Sequence, residues 1–211
     1  MSSIDTVKLL EISGDPIGYG LDPSKCPSDW IGLKQELYDL LCLKNGFYAF
    51  ESALHVRAKG SEGPPVSLEC WNKKELWIDT YEVNKSEVFF FAEDLFGGQF
   101  GIFENKIVTF DPETAELEEI GSSLEEWSKQ LLSDYNYLTG YSLSHEWQQK
   151  YGGIPEGYRL IPRQLFVLGG AYDCENLLLV EEVKGMRSRG FFATQLAEIK
   201  DGEEIRFQFV D

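Results

Sequence analysis

Histidine and cysteine, which often carry out nucleophilic, acid–base or metal chemistry, are few in this sequence and widely spaced. His55 and His145 lie 90 residues apart, and neither has a second histidine or a Cys-x-x-Cys pair at metal-ligand spacing. Cys174 and His145 could form a nucleophile and its base, but no neighbour marks Cys174 as an activated thiol, so a structural thiol is favoured. We therefore predict no metal site and no catalytic residue, and interpret each histidine as a surface or capping residue.

The segment Gly97-Gly98-x-x-Gly101 has the composition of a phosphate-binding loop but not its context. Such a loop needs a helix N-terminus directly behind it, whereas residues 99–104 alternate like a strand and no Gly-Lys-Ser/Thr follows. The chain has no Gly-x-Ser-x-Gly elbow, and its acids are too numerous for one pair to stand out as a glycosidase acid and base. The sequence therefore predicts no cofactor and a protein that is not an enzyme.

The net charge narrows the class of partner. The 211 residues carry 36 acids and 19 bases, a formal charge of −17, of which −5 falls in residues 1–88 and −12 in residues 89–211. A field of this sign repels nucleic acid and anionic membranes and attracts a basic protein. We therefore expect a basic protein partner, no direct binding of nucleic acid and no membrane association.

Seven acids and no base lie between Asp111 and Glu126. Glu125 and Glu126 have a local role, because acids in the first turn of a helix complement its dipole. The other acids have no such role and are either a solvated face that keeps the protein soluble or part of a binding surface. Our hypothesis is that five of them bind the partner: Asp111, Glu113, Glu116, Glu118 and Glu119.

These acids lie in the part of the chain with the clearest secondary-structure pattern. Short apolar or alternating runs predict three strands, at residues 89–92, 99–104 and 107–110, with a tight turn at residues 104–106, and a further short run follows at residues 117–120. Ser122 and Ser123 each have a glutamate three residues later, and apolar residues then recur at helical spacing, which predicts a helix. We predict one core formed by Phe89, Phe91, Phe100, Ile102, Phe110, Trp127 and Leu131.

The flanking segments are predicted from shorter patterns. A basic spot at residues 185–190 is expected to pair with Glu181 and Glu182. The predicted elements are a strand at 7–12, a helix from a Ser28 cap to Asn45-Gly46, an element of undecided type at 47–56, short segments at 67–71 and 77–81, a helix at 145–151 capped by Ser144, extended segments at 159–162 and 165–168, an apolar run at 177–180, a helix at 191–199 after Gly190, and a strand at 205–209.

Length and composition predict one folded domain over residues 1–211, with residues 140–211 packed on the first part. No apolar run is long enough to cross a bilayer, and the N-terminus is acidic where a signal peptide has a basic start, so we expect a cytoplasmic protein. In that reducing compartment the four widely spaced cysteines are expected to be free thiols.

Several of these segments carry a resemblance to a known family. The chain resembles the SMI1/KNR4 group of the SUKH superfamily over residues 28–135, and residues 140–211 are similar to a C-terminal extension of longer bacterial relatives. The matching segments are the helix with Leu37, Leu40 and Leu41 that ends at Asn45-Gly46, the run FFAEDLFGGQF at residues 90–100, Asp111-Pro112-Glu113-Thr114, and the helix start from Ser123 to Trp127.

This resemblance implies an α+β fold: a curved, mostly antiparallel sheet flanked by helices, with the family core at about residues 28–139 and a C-terminal α+β extension. It also implies, for bacterial members, an immunity protein that binds and neutralises a toxin, often a nuclease. A nuclease site is basic, so an acidic surface on this chain is expected to block it. The alternative is a regulatory protein-interaction module of the same type, as in fungal members.

Overall fold

Six antiparallel strands lie side by side in one sheet in the order in which they follow one another along the chain. The structure, a computed structural model, describes residues 4–82 and 87–197. Two further strands form a separate antiparallel pair. The strands are β1 Phe47–Ala49, β2 Leu54–Val56, β3 Phe89–Glu93, β4 Gln99–Phe103, β5 Lys106–Phe110, β6 Leu117–Gly121, β7 Tyr158–Pro162 and β8 Leu177–Glu181.

Helices flank the sheet, which confirms the predicted α+β class with an antiparallel sheet. None of the described helices is long and apolar enough to cross a membrane. Short 3-10 turns at Pro23–Lys25, Ile78–Thr80, Phe166–Leu168 and Cys174–Asn176 join the elements. The helices are α1 Ile4–Ile12, α2 Leu33–Leu43, α3 Leu68–Trp71, α4 Leu124–Ser133, α5 Tyr135–Thr139, α6 Tyr141–Tyr151 and α7 Glu182–Ala197.

The three predicted central strands are confirmed as β3, β4 and β5, the further run at residues 117–120 lies in β6, and tight turns set their register. Glu104 and Asn105 join β4 to β5 with φ angles of 48° and 59°, the left-handed pair that suits a two-residue hairpin. Residues 47–56, left undecided by the sequence, form the hairpin β1–β2. Each strand is therefore antiparallel to its neighbours, and the connections are short except that from β2 to β3, which spans residues 57–88 and contains α3 and a 3-10 turn.

Both faces of the sheet are covered, which corrects the prediction of a single core. Phe100 and Ile102 of β4 face α4, where the Trp127 ring packs edge-on against Phe100 at 5.7 Å. Phe110 pairs with Gln99 in the sheet register, so it points to the opposite face and packs in a second cluster with Trp77. The strand period was read correctly, but the period alone does not show that two faces are both buried.

The N-terminal strand predicted at residues 7–12 is wrong, because this segment is α1. The Glu125 carboxylate of α4 accepts hydrogen bonds from the backbone N–H groups of Asp5 and Thr6, at 3.1 and 2.9 Å, and so caps the start of α1. At α4 itself, Ser123 accepts the Glu126 N–H, and the Glu126 side chain returns to Ser122. The predicted helix start is confirmed, and Glu125 caps a different helix from its own.

Several predicted boundaries are also wrong. The helix predicted from a Ser28 cap begins at Leu33, and residues 165–168, predicted as extended, contain a 3-10 turn. The helix predicted at 145–151 begins at Tyr141, and Ser144 lies buried inside it, where its hydroxyl donates to the Glu51 carbonyl at 2.7 Å. The strand predicted at 205–209 and the end of the helix predicted at 191–199 lie outside the described residues.

The helix predicted to begin after Gly190 is also longer, because α7 begins at Glu182 and runs through that glycine. A Cβ atom at Gly190 would lie 2.2 Å from the Thr80 hydroxyl and 2.9 Å from the Tyr81 ring. Only glycine allows this approach of α7 to the 3-10 turn Ile78–Thr80, so here glycine marks close packing and not a helix end.

Residues after Gly140 contact the first part of the chain at several points. The Leu160 N–H of β7 donates to the Leu95 carbonyl at 3.0 Å, and Met186 of α7 is buried in the cluster around Trp77. Trp147 of α6 packs in a third cluster that also contains Leu95. These contacts are those expected if residues 140–197 share one folding unit with the sheet.

Candidate functional site

A groove of about 1230 Å³ opens beside β5 and β6 and is bounded by α4, α5 and the 3-10 turn Phe166–Leu168. We call it the acidic groove, because its lining includes five carboxylates and one cation. None of these carboxylates lies within ion-pair distance of a cation in the described parts of the chain. The charged lining residues are Asp94, Asp111, Glu113, Glu118, Asp134 and Arg189.

The turn after β5 holds Asp111 and Glu113 at one wall of the groove. The Asp111 side chain accepts the Glu113 N–H at 2.7 Å, and its backbone carbonyl accepts the Ala115 N–H at 2.8 Å. Glu113 is only 4% exposed, and its Oε2 accepts the Val167 N–H at 2.9 Å. Unlike an exposed acid, Glu113 is buried by this tertiary contact with Val167.

The remaining predicted acids lie on or near the edge strand β6 and are exposed. Glu118 lines the groove, while Glu119 forms a surface ion pair with Lys106 at 2.7 Å. Glu116 lies outside the lining. The structure thus brings three of the five hypothesised residues to one groove and leaves Glu116 and Glu119 beside it.

Aromatic rings form part of the same lining. Phe166 and Tyr172 stack in parallel with 3.9 Å between ring centroids, and the edge of Phe96 packs against Phe166 at 5.2 Å. Tyr172 is 66% exposed and Tyr137 of α5 is 82% exposed. Exposed aromatic rings beside unpaired carboxylates are typical of surfaces that bind cationic groups.

The electrostatics of the groove follow from burial and from the like charges it contains. Burial raises the pKa of Asp94 to about 7, although the N–H groups of Gly98 and Phe96 and the nearby Arg189 act in the opposite direction. Burial also raises the pKa of Glu113, and Asp111 adds to that rise. Both shifts favour the protonated forms of Asp94 and Glu113, so the negative charge of the lining comes chiefly from the exposed carboxylates of Asp111, Glu118 and Asp134.

The glycine-rich segment at residues 97–101 contributes to this site through Asp94. The Gly98 N–H donates to the Asp94 carboxylate at 2.7 Å, so this backbone donor is used within the protein. A strand, β4, follows the segment, as predicted from the sequence. The context required for a phosphate loop is therefore not met.

A second group of charged residues is buried, and its members come from β2 and the residue after it, β3, β7 and the start of α7. We call it the buried network. The Glu93 carboxylate is 3.0 Å from His55 Nδ1, 2.8 Å from Arg57 Nη2 and 2.9 Å from Arg159 Nε. Arg57 Nη1 is also 3.0 Å from the Glu182 carboxylate, which accepts the Val66 N–H at 2.6 Å. Its members are His55, Arg57, Glu93, Arg159 and Glu182.

This network corrects two predictions. His55, predicted at the surface, is fully buried between Glu93 and the stacked ring of Tyr48, at 4.5 Å. Glu182, predicted to pair with the basic spot at residues 185–190, pairs with Arg57 instead. Arg189 of that spot is buried and donates to the Phe96 and Gly185 carbonyls.

Three members, His55, Glu93 and Glu182, have ligand atoms within 4.8 Å of one another, close enough to hold a metal ion. Two guanidinium groups already neutralise the two carboxylates, so a metal cation would be placed against two fixed positive charges. Burial raises the pKa of Glu93, but Arg159, Arg57 and the hydrogen bond with His55 outweigh it and hold the pKa well below its usual range. The arrangement is that of a structural ion-pair network.

The remaining candidates from the sequence do not form a reactive pair. His145 is exposed and contacts Glu51 at 2.8 Å. Cys174 is buried, and burial raises the pKa of its thiol, which disfavours the reactive thiolate. All four cysteines are free thiols, and Cys70 is exposed.

Sequence reasoning missed the buried network. The signal it could have used is a charged residue at an inward position of an apolar strand: Glu93 ends the run of β3, and Arg159 lies in β7. Its members come from distant parts of the chain, so their pairing appears only in the folded structure.

The fold and the groove together define an α+β protein with a six-stranded antiparallel sheet, flanking helices and an acidic groove. Its structure is similar to the crystal structure of Atu4351 from Agrobacterium tumefaciens, with a TM-score of 0.52 and 12% sequence identity over 86% of each chain. At this identity the similarity concerns the fold alone. No family model matches the sequence, and no curated protein sequence matches it either.

Proposed function

We propose that this protein is a non-enzymatic, cytoplasmic immunity protein that binds a basic toxin domain, of the nuclease type, at the acidic groove. One observation carries the proposal: the groove is lined by five carboxylates and one arginine, and none of the five has an ion-pair partner in residues 4–82 and 87–197. A basic surface of a partner supplies the missing positive charge. The resemblance to the SMI1/KNR4 group, in which bacterial members neutralise toxins, supports the same class of function.

The net charge of −17 supports the mode of association. Charges outside the contact still act at a distance, because complementary fields accelerate encounter and lose that effect as salt is added. Glu116 and Glu119, which lie beside the groove, are assigned this steering role, and Glu118 both steers and lines the groove. A nuclease active site that binds the phosphate backbone is a basic surface of the required sign.

The test first searches the neighbourhood of the gene for a toxin gene, whose presence the proposal requires, and then combines the protein with the toxin domain found there. We expect equimolar protein to abolish the toxin's activity. Changing Glu116, Glu118 and Glu119 together to Gln should slow association several-fold at low salt and flatten its salt dependence, with Tm nearly unchanged. Stopped-flow association rates at two salt concentrations measure the effect.

The matched control neutralises three exposed glutamates that are outside the groove lining: Glu11, Glu75 and Glu82. It changes the net charge by the same amount and should retain most of the wild-type rate. Toxin activity that is unaffected by the wild-type protein contradicts the proposal. Equal rates for the two triple variants would show that Glu116, Glu118 and Glu119 form a solvated face.

A further inference from the structure

One end of the acidic groove concentrates carboxylates and aromatic rings around Tyr172. Burial raises the pKa of the Tyr172 hydroxyl, and the charges of Glu113, Asp111 and Asp94, together with Tyr137, add to the rise. The contacts give the same arrangement: the Asp111 carboxylate accepts the Glu113 N–H at 2.7 Å, Glu113 accepts the Val167 N–H, and Phe166, next to Val167, stacks on Tyr172. Two carboxylates and the Tyr172 ring therefore lie near one another at this end of the groove, and Tyr137 belongs to the same lining.

Within residues 4–82 and 87–197, no cation forms an ion pair with these carboxylates. Among those residues, Arg189 alone is cationic in the groove lining; its charge opposes the rise in the pKa of Asp94 and Glu113, but its guanidinium is held by backbone carbonyls and by the Met186 sulfur at 3.4 Å. Glu113, which is 96% buried, hydrogen-bonds through Oε2, while Oε1 has no hydrogen-bond partner of good geometry among the described residues. Glu113 lines the groove, and its Oε1, which is shielded from solvent, has the capacity to accept one more donor.

The ring of Tyr172 provides a flat surface next to these acids. One face of the ring stacks on Phe166, yet 66% of the residue remains exposed, so the other face is open to the groove. A planar guanidinium stacks on such a face and donates several N–H groups to neighbouring carboxylates at once, which an ammonium does not. The combination favours arginine over lysine.

We infer that Tyr172, Tyr137, Asp111 and Glu113 form a pocket for a single arginine side chain of the protein partner. This inference rests on the proposed function for the presence of a basic protein partner, and it adds the residue type that the groove selects. The occupant is a guanidinium that stacks on Tyr172 and donates hydrogen bonds to Asp111 and Glu113. The neighbouring acids of the groove attract the rest of the basic segment.

The probe is a fluorescein-labelled heptapeptide, Gly-Ser-Arg-Gly-Arg-Ser-Gly, compared with versions in which lysine or citrulline replaces arginine. Fluorescence anisotropy at low salt should give about tenfold tighter binding of the arginine peptide than of the lysine peptide, and weak binding of the neutral citrulline peptide. Tyr172→Ser and Glu113→Gln should each lose about that factor. Tyr172→Phe keeps the stacking face and should bind like the wild type.

Tyr19→Ser is the matched control, because Tyr19 is 92% exposed and lies outside the groove lining. Equal affinity for the arginine and lysine peptides, or full affinity after Tyr172→Ser in a variant with unchanged Tm, would overturn the pocket. A toxin domain that is neutralised normally by Tyr172→Ser also counts against the pocket and leaves the proposed function standing. If the protein binds the arginine peptide through Tyr172 but neutralises no toxin, the pocket stands and the proposed function is contradicted.

Discussion

The buried network and the acidic groove treat charge in opposite ways. In the network, two arginines face two glutamates, and a neutral histidine contacts Glu93 through Nδ1. In the groove, five carboxylates share one arginine that is bound elsewhere. The network pairs both of its carboxylates with arginines, whereas the groove leaves its carboxylates without an ion pair among the described residues, including the buried Glu113. We attribute the unpaired carboxylates to a cationic ligand. The comparison separates acids that hold the fold from acids that are available to a partner.

Removing the C-terminal part should have the largest effect, because Arg159 and Glu182 belong to it. A chain of residues 1–139 leaves Arg57 and Glu93 buried without these partners and uncovers the apolar cluster around Trp77. We expect this fragment not to fold cooperatively, as measured by circular dichroism during urea unfolding, and limited proteolysis of the full chain to give no stable fragment that ends near residue 140. A soluble, cooperative fragment would show that residues 1–139 are a domain by themselves.

Substituting one carboxylate of the network should have the next largest effect. Glu93→Gln leaves two buried guanidiniums facing a neutral amide, so we expect a loss of about 3 to 5 kcal/mol in the free energy of unfolding. Urea denaturation measures it. Glu119→Gln, which breaks an exposed ion pair with Lys106, is the control and should cost about 1 kcal/mol or less. Similar losses for both variants would remove the distinction between the network and the surface.

The two regions should also respond oppositely to pH. Burial lowers the pKa of His55 to about 3, so the unfolded chain binds a proton below pH 6.5 that the folded protein does not, and stability falls as the pH falls from 6.5 towards 3. The pKa of Asp94 is raised from 3.8 to about 7, so between these pH values the folded protein binds a proton that the unfolded chain does not. Stability therefore falls as the pH rises from 3.8 to about 7. Each group contributes a slope of at most about 1.4 kcal/mol per pH unit.

Two variants separate these contributions. Relative to the wild type, Asp94→Asn should gain stability as the pH rises from 5 to 7, and His55→Gln should gain stability as the pH falls from 6.5 to 5. Unfolding free energies at three pH values within this window measure both differences. Parallel pH profiles for a variant and the wild type would show that the substituted group does not titrate differently in the two states.

The smallest expected effect is a gain in stability when one exposed carboxylate of the groove is neutralised. Glu118 is exposed, has no cationic partner among the residues that the structure describes, and lies among other acids. Glu118→Gln relieves like-charge repulsion and should raise Tm by about 1 °C, as measured by differential scanning fluorimetry. A fall in Tm would mean that Glu118 contributes to the fold and not only to binding.

The sequence predicted the parts of the fold that depend on local signals. The alternation in β4, the turn at Glu104 and Asn105 and the serine caps before α4 were each found because the signal and its cause lie within a few residues. The two-sided core was missed because the pattern of one strand does not show what covers its second face. Gly190 was misread because its reason lies in Thr80, a residue far away in the chain.

The candidate site was predicted only in part, because its charge is a local feature of the sequence and its shape depends on tertiary contacts. The run of acids from Asp111 to Glu119 is visible as composition, and three of its members line the groove. The burial of Glu113 depends on Val167, and the aromatic rings that complete the groove come from α5 and from residues 166–172. Composition identified the charge, whereas the shape of the pocket required tertiary contacts.

The cap that α4 provides to α1 has a consequence for synthesis on the ribosome. The first helix emerges early, but Glu125, whose carboxylate binds the Thr6 N–H, is 119 residues further along the chain. At about 5 to 20 residues per second, α1 waits roughly 6 to 24 s for its cap. During that interval α1 lacks the helix α4, so the cluster in which Leu9 packs with Trp127 and Leu131 is incomplete.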